Sequence, residues 1–325
     1  MNICMIGHGM MGVWHSQALA GATGAVLHTV VGRRAGPTAA FAERFGYRRW
    51  TVDLDEALSD AAIDAVIVAS PSQQHVDHAL RAIGAGKHVL VEIPLGMSLG
   101  GVDRVLAAAV GSTRTLGMVH PMRARPEMVA LHERVARGEE RVHMVEGRFF
   151  IHRLENVGAT GYRRSWTDNA LWHHAAHLVD FAVWMLGEDL GRVEGWMGPV
   201  DERTGIPMTT HIRAERPDGA MTSCLLTYYG REFVNQTTVA TDRDSYCVDT
   251  RNARMVTGSD TIALASEADN VAILTRDFVT AARDGRPPMV PIAAVRPAMA
   301  ILETVQRQWD ERYGAVQLPG RPDDA

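Results

Sequence analysis

The opening sixteen residues constrain this chain more than any other stretch. Asn2–Ile6 is an apolar run of strand length, Gly7-His8-Gly9-Met10-Met11-Gly12 follows without a gap, and Met10–Leu19 reads as a helix. Three glycines at this spacing, between a strand and a helix, match the needs of a dinucleotide. The first makes the tight turn, the second lets a pyrophosphate approach the backbone, and the third lets the helix pack on the strand. The helix start then offers unpaired N–H groups and a partial positive charge to phosphates. Gly7, His8, Gly9, Met10, Met11 and Gly12 are therefore expected at a cofactor.

A second strand, Ala25–Val31, ends about 20 residues beyond the last glycine, where a carboxylate usually holds the ribose hydroxyls of NAD. This chain has Gly32-Arg33-Arg34 there. Two guanidinium forks suit a 2′-phosphate, so NADP is expected, with NAD as the alternative.

Strands at Ala65–Ala69, His88–Glu92 and Thr115–Val119 alternate with helices at Thr38–Phe45, Leu54–Leu58, Gln74–Gly86 and Leu99–Ala109. Such alternation predicts a doubly wound parallel α/β sheet, a Rossmann domain, over residues 1–120. Ligands bind at the strand ends of such sheets, which places Ser70, Pro71, Glu92, Ile93 and His120 at one edge. After His120 the pattern changes. A helix at Pro126–Gly138 is followed by long, alternating strands at Val142–His152, Arg192–Met197, Thr209–Glu215, Met221–Tyr228, Asn235–Thr241 and Ser245–Asp249. Helices at Asn169–Leu186, Ala268–Asp284 and Ala294–Glu311 complete the chain. Residues 121–318 thus predict an α+β domain on a large open, mostly antiparallel sheet, with a polar tail over 319–325. An open sheet face that is apolar and exposed predicts a homodimer or homotetramer through it.

With 325 residues the chain is long enough for two cores. A net charge of −5 gives no basic field for nucleic acid, and no apolar stretch reaches membrane-spanning length, so neither is an expected partner. Cys4, Cys224 and Cys247 are scattered thiols without metal spacing, as in a reduced, cytoplasmic protein.

The chemistry concentrates in Arg163-Arg164-Ser165-Trp166-Thr167-Asp168 and the helix after it, which carries His173, His174, His177 and Asp180. In a regular helix His173, His177 and Asp180 share one face. A histidine aimed into a cleft is a natural proton acceptor for hydroxyl oxidation near neutral pH, and a polar neighbour one turn away can set its tautomer. An i, i+4 histidine pair supplies only two metal ligands, so no metal is expected.

These motifs, with Ser70-Pro71…His75, Gly86-Lys87-His88-Val89-Leu90-Val91-Glu92-Ile93-Pro94, Arg123 with Pro126, His177-x-x-Asp180 and Phe278…Gly285-Arg286-Pro287-Pro288, resemble the Gfo/Idh/MocA oxidoreductases. The resemblance implies hydroxyl oxidation with NAD or NADP, His177 as proton acceptor with His173 beside it, and a cofactor contact at His75. Two departures stand out. The family usually has Glu-Lys-Pro, with the lysine on the reacting hydroxyl, where this chain has Ile93; it often has aspartate where this chain has His173. The run from Arg164 to His177 and the Glu-Ile-Pro variant resemble one branch, which oxidises the cyclic hemiacetal of a ring-cleavage semialdehyde to a pyrone dicarboxylate with NADP. That small-molecule substrate carries two carboxylates, for which Arg123, Arg153 and Arg164 are the candidate partners, with Trp166 and His174 lining the site. Another family dehydrogenase or reductase, acting on a sugar, cyclitol or carboxylated ring, stays open, as does a non-catalytic NADP-binding regulator.

Overall fold

The computed structural model describes residues 1–155 and 169–314. They form two compact units, one of residues 1–124 and 268–295, the other of 125–155, 169–267 and 296–314. The expected break at 120/121 therefore moves by four residues. Residues 268–295 also return to the first unit before 296–314 complete the second.

The first unit is built on β1 (Asn2–Ile6), α1 (Met10–Ala20), β2 (Val26–Val31), α2 (Ala35–Phe45), β3 (Arg49–Thr51), α3 (Leu54–Ser59), β4 (Ala65–Val68), α4 (His75–Gly84), β5 (His88–Val91), α5 (Leu99–Ala109) and β6 (Leu116–Met118). The strands form one sheet in the order β3-β2-β1-β4-β5-β6, every pair parallel. Ile3, Cys4, Met5 and Ala65–Val68 are fully enclosed, as strands covered on both faces require. Burial pushes the Cys4 thiol up to about 12, so it is an inert core group. Strand β3 was not anticipated. Arg49 and Trp50 are exposed, so this edge strand leaves no apolar pattern to read.

The second unit contains α6 (Pro126–Ala136), β7 (Val142–His152), α7 (Ala176–Leu186), β8 (Arg192–Met197), β9 (Thr209–Glu215), β10 (Met221–Thr227), β11 (Tyr229–Thr241), β12 (Ser245–Asp249), β13 (Arg254–Val256) and β14 (Thr261–Ala263). Helix α8 (Glu267–Asp284) then runs in the first unit and α9 (Arg296–Tyr313) closes the second. The sheet order is β14-β13-β12-β11-β7-β10-β9-β8, antiparallel except for the β7–β10 pair. Helices α7 and α9 cover one face closely. A Cβ on Gly147 would meet Leu178 at 3.0 Å, and one on Gly195 would collide with Val305.

The opposite face mixes exposed apolar and polar side chains. It carries Trp196 and Leu225, 61 % and 38 % exposed, and also Glu146, Arg148, Gln236, Ser223, His211 and Arg213 at neighbouring register positions. Arg148 donates to Gln236 Oε1 at 2.7 Å, and Ser223 Oγ lies 3.0 Å from His211 Nε2. Cross-strand polar pairs thus stand beside exposed hydrocarbon on this face.

Among the described residues no helix is long and apolar enough to cross a membrane.

Candidate active site

In the first unit the glycine turn has the stereochemistry expected. Gly7 sits at φ +103°, and its N–H donates to Val31 O at 2.9 Å. A Cβ there would collide with the Ala69 carbonyl, and one on Gly12 would meet Gly7 O at 2.6 Å. Both positions are closed by protein. Gly9 differs: a Cβ on it would meet nothing within 4 Å. No side chain caps α1 at Gly9 and no acidic residue occupies its first turn. The first N–H groups of the helix therefore remain for a ligand, as a pyrophosphate requires.

That contrast gives a direct prediction. Gly9→Ala should alter unfolding stability by less than about 1 kcal/mol while weakening nicotinamide dinucleotide binding about tenfold or more. Gly12→Ala should cost about 1–3 kcal/mol of stability. Thermal melts beside fluorescence titrations check both.

Arg33 and Arg34 are exposed at the end of β2, with no carboxylate between Gly32 and Thr38. Arg34 precedes α2, and its carbonyl accepts from Thr38 N at 3.1 Å and Thr38 Oγ1 at 2.7 Å. The half-buried His8 ring lies 5.9 Å from that of Phe41. Burial, and secondarily the Arg34 charge, lower its pKa.

The ends of β4 and β5 are tied together. His75 Nε2 lies 2.8 Å from Ser70 O, and its Nδ1 lies 2.6 Å from Pro94 O. His75 is 1 % exposed, and its ring lies between the two strand-end turns. Ser70 Oγ pairs with His78 Nδ1 at 2.9 Å, beside the half-buried Pro71. Burial lowers the His78 pKa from 6.5 to about 4. Between those values the unfolded chain binds more protons than the folded one. This contribution to stability is complete above pH 6.5 and is lost as pH falls through about 4. It amounts to at most about 3 kcal/mol. Chemical denaturation between pH 7 and 4 should show that decline, with a shallower slope for His78→Gln.

Beyond β5, Glu92 is buried, and its Oε1 lies 2.7 Å from His15 Nε2. The next residue, Ile93, is 8 % exposed and brings no ionisable group to this turn. Arg123 lies in the first unit, 8 % exposed, and donates to Ala294 O at 3.4 Å.

In the second unit the regular helix expected from Asn169 does not form. Leu171–Ala175 is a π-helical turn, with Ala175 N donating to Ala170 O at 2.9 Å, and regular α-helix begins at Ala176. Asn169 Oδ1 starts it, accepting from Leu171 N at 3.0 Å and Trp172 N at 3.2 Å. Single π turns inside helices concentrate at functional sites, because they re-aim the side chains they carry. The turn here carries His173 and His174, whose rings meet edge to face at 4.2 Å. His174 stacks on Phe149 at 3.9 Å and places Nδ1 2.8 Å from the hydroxyl of the fully enclosed Tyr228. The Arg153 guanidinium lies over the same Tyr228 ring at 5.5 Å, and Arg153 N donates to Tyr228 O at 2.9 Å. His177 is half-buried one residue into α7, and Asp180 below it is enclosed. Sequence reasoning missed Tyr228, Phe149 and His15. The two aromatic residues read as ordinary strand core, and His15 sat unmarked inside the first helix. Arg164 and Trp166 fall outside the described residues. Among the described residues no group of three or more His, Cys, Asp or Glu is placed to hold a metal ion.

Residues 1–120 match the oxidoreductase family model with an NAD-binding Rossmann fold, GFO_IDH_MocA, and residues 126–264 match the bacterial oxidoreductase C-terminal model. The chain belongs to the Gfo/Idh/MocA oxidoreductase family. It is 29% identical over 320 residues, 96% of this chain and all of the relative, to the 4-carboxy-2-hydroxymuconate-6-semialdehyde dehydrogenase of Sphingobium sp. strain SYK-6. The inositol 2-dehydrogenase of Paracoccus denitrificans is 32% identical over 58% of this chain and 55% of its own length. Among solved structures, GenD2 from gentamicin A biosynthesis in complex with NAD superposes with a TM-score of 0.80 at 25% identity, covering 94% and 93% of the two chains. Levoglucosan dehydrogenase with NADH and levoglucosan has the same fold at a TM-score of 0.84 and 19% identity, covering 96% and 97%. The family assignment makes the chain a dehydrogenase that uses a nicotinamide dinucleotide, and the open cradle at Gly9 fits one.

Proposed function

We propose that the protein oxidises the cyclic hemiacetal of 4-carboxy-2-hydroxymuconate-6-semialdehyde to 2-pyrone-4,6-dicarboxylate, using NADP. The observation that carries this reading is Ile93. A sugar or cyclitol hydroxyl is weakly acidic and profits from a lysine at this turn. A hemiacetal hydroxyl is more acidic and tolerates its replacement by hydrocarbon. The full-length similarity to a dehydrogenase of that semialdehyde supports the same substrate.

In this reading the N–H groups after Gly9 hold the pyrophosphate and Arg33 and Arg34 hold a 2′-phosphate. Ser70, Pro71, Glu92 and Ile93 form the wall for the nicotinamide half. The bound dinucleotide supplies the hydride acceptor. His177 takes the hydroxyl proton, and His173 sets its environment. Arg153, steadied on Tyr228, pairs with a substrate carboxylate, as do Arg123 and Arg164. His174 and Trp166 line the substrate. The exposed Trp196 and Leu225 support association of two or four copies through the open sheet face, and the protein works in the cytoplasm.

The test compares initial rates of NADP reduction with the ring-cleavage semialdehyde, myo-inositol and levoglucosan. The semialdehyde should give a kcat/KM at least about 100-fold above either polyol. Equal or greater turnover of a polyol would overturn the substrate assignment.

A further inference from the structure

Gly32 directly follows β2, about 20 residues beyond Gly12, at the place from which a carboxylate would grip the ribose hydroxyls of NAD. The space for such a side chain is already taken. Gly32 N donates to Thr51 O at 3.1 Å, which ties its backbone to β3. A Cβ on Gly32 would stand 2.6 Å from His8 Cδ2 and 2.7 Å from His8 Nε2, and it would collide outright with Thr38 Oγ1. Thr38 has no freedom to yield, because it is fully enclosed and its hydroxyl donates to Arg34 O at 2.7 Å. The half-buried His8 ring is backed by the buried Phe41. Any side chain at position 32 would have to displace one group or both.

What fills this volume also carries chemistry. The backbone of His8 belongs to the glycine turn, while its ring lies against Gly32 at the end of β2. An imidazole carries at least one N–H in either protonation state. A phosphate oxygen accepts such a bond more strongly than a ribose hydroxyl does. Arg33 and Arg34 follow Gly32 directly, and the Arg34 charge acts on the same ring. Two features therefore oppose NAD here, a blocked position for the acid and a cluster of donors in its place.

We propose that His8 and Thr38 are specificity-determining residues: together they occupy the space that a ribose-binding carboxylate would need, and the His8 ring donates to the 2′-phosphate beside Arg33 and Arg34. The proposal deepens the NADP reading and rests on it. In this arrangement the arginines alone do not set the preference, and replacing Gly32 by an acid does not reverse it until the two blocking side chains are cut back.

The test titrates NADPH and NADH against the full-length parent, His8→Ala, Gly32→Asp, and a triple variant joining Gly32→Asp with His8→Ala and Thr38→Ala. His8→Ala should weaken NADPH about tenfold and leave NADH within about twofold. Gly32→Asp alone should weaken both cofactors. The triple variant should bind NADH at least about tenfold more tightly than Gly32→Asp does and should prefer it to NADPH. Thermal melts of Gly32→Ala give a readout that needs no ligand, should the acidic variants fail to fold. The added methyl should lower the melting temperature by at least about 2 °C in the parent, and by less than about half as much when His8→Ala and Thr38→Ala are present. An unchanged ratio of NADPH to NADH affinity in His8→Ala, or a Gly32→Ala melt equal to that of the parent, would overturn the inference. A parent that prefers NADH would instead sink the NADP reading, and one that binds neither would sink the dinucleotide reading itself.

Discussion

Replacing His177 with alanine is expected to lower kcat by about 10²–10⁴-fold with dinucleotide affinity unchanged. The expectation rests on where this imidazole stands. It is half-buried at the second residue of α7, directly after the π turn of Leu171–Ala175. Asp180, one turn further on, is enclosed. The neighbouring histidines are placed differently. His174 has a stacked face against Phe149 and its Nδ1 on the Tyr228 hydroxyl, which suits a wall group rather than a proton acceptor. His173 lies edge-on to His174, and His173→Ala should cost less than His177→Ala. Rapid-mix kinetics with saturating cofactor give kcat, and a titration in the absence of substrate gives the affinity. Near-normal turnover of His177→Ala would remove it from the chemistry.

Removing both guanidinium groups in an Arg33→Ala, Arg34→Ala double variant should weaken NADPH about 10–100-fold and leave NADH within about twofold. A 2′-phosphate offers oxygens that paired forks bind far better than water does, whereas a ribose 2′-hydroxyl offers them little. The end of β2 has no carboxylate to favour NADH in their place. Calorimetric titration of both reduced cofactors reads the ratio directly. Equal loss for both would assign the arginines to general electrostatic attraction, and no loss would overturn the expectation that they hold a 2′-phosphate.

Much of the first unit was legible because its signals are local. A strand, three glycines and a helix stand in sequence order, and the strand ends follow from continuous apolar runs such as Ala65–Val68. What escaped depends on distant partners. The placement of the His75 ring between Pro94 O and Ser70 O shows only in the folded chain. His15 becomes informative only with Thr275, 260 residues away. In the second unit the histidine cluster was visible, but not the π turn beneath it. One widened helical turn leaves the residue spacing unchanged while it alters where those residues point. The polar share of the open sheet face was hidden for a related reason. Alternation reveals which residues face away from the helices, whereas the pairing of Arg148 with Gln236 depends on register.

The central claim is tested most directly by incubating the full chain with the protocatechuate 4,5-cleavage product and NADP and following both products. The account predicts 2-pyrone-4,6-dicarboxylate and NADPH formed in equal amounts, with slower turnover on NAD. Unchanged semialdehyde beside full turnover of a polyol, or loss of the semialdehyde without reduction of either nicotinamide, would contradict it.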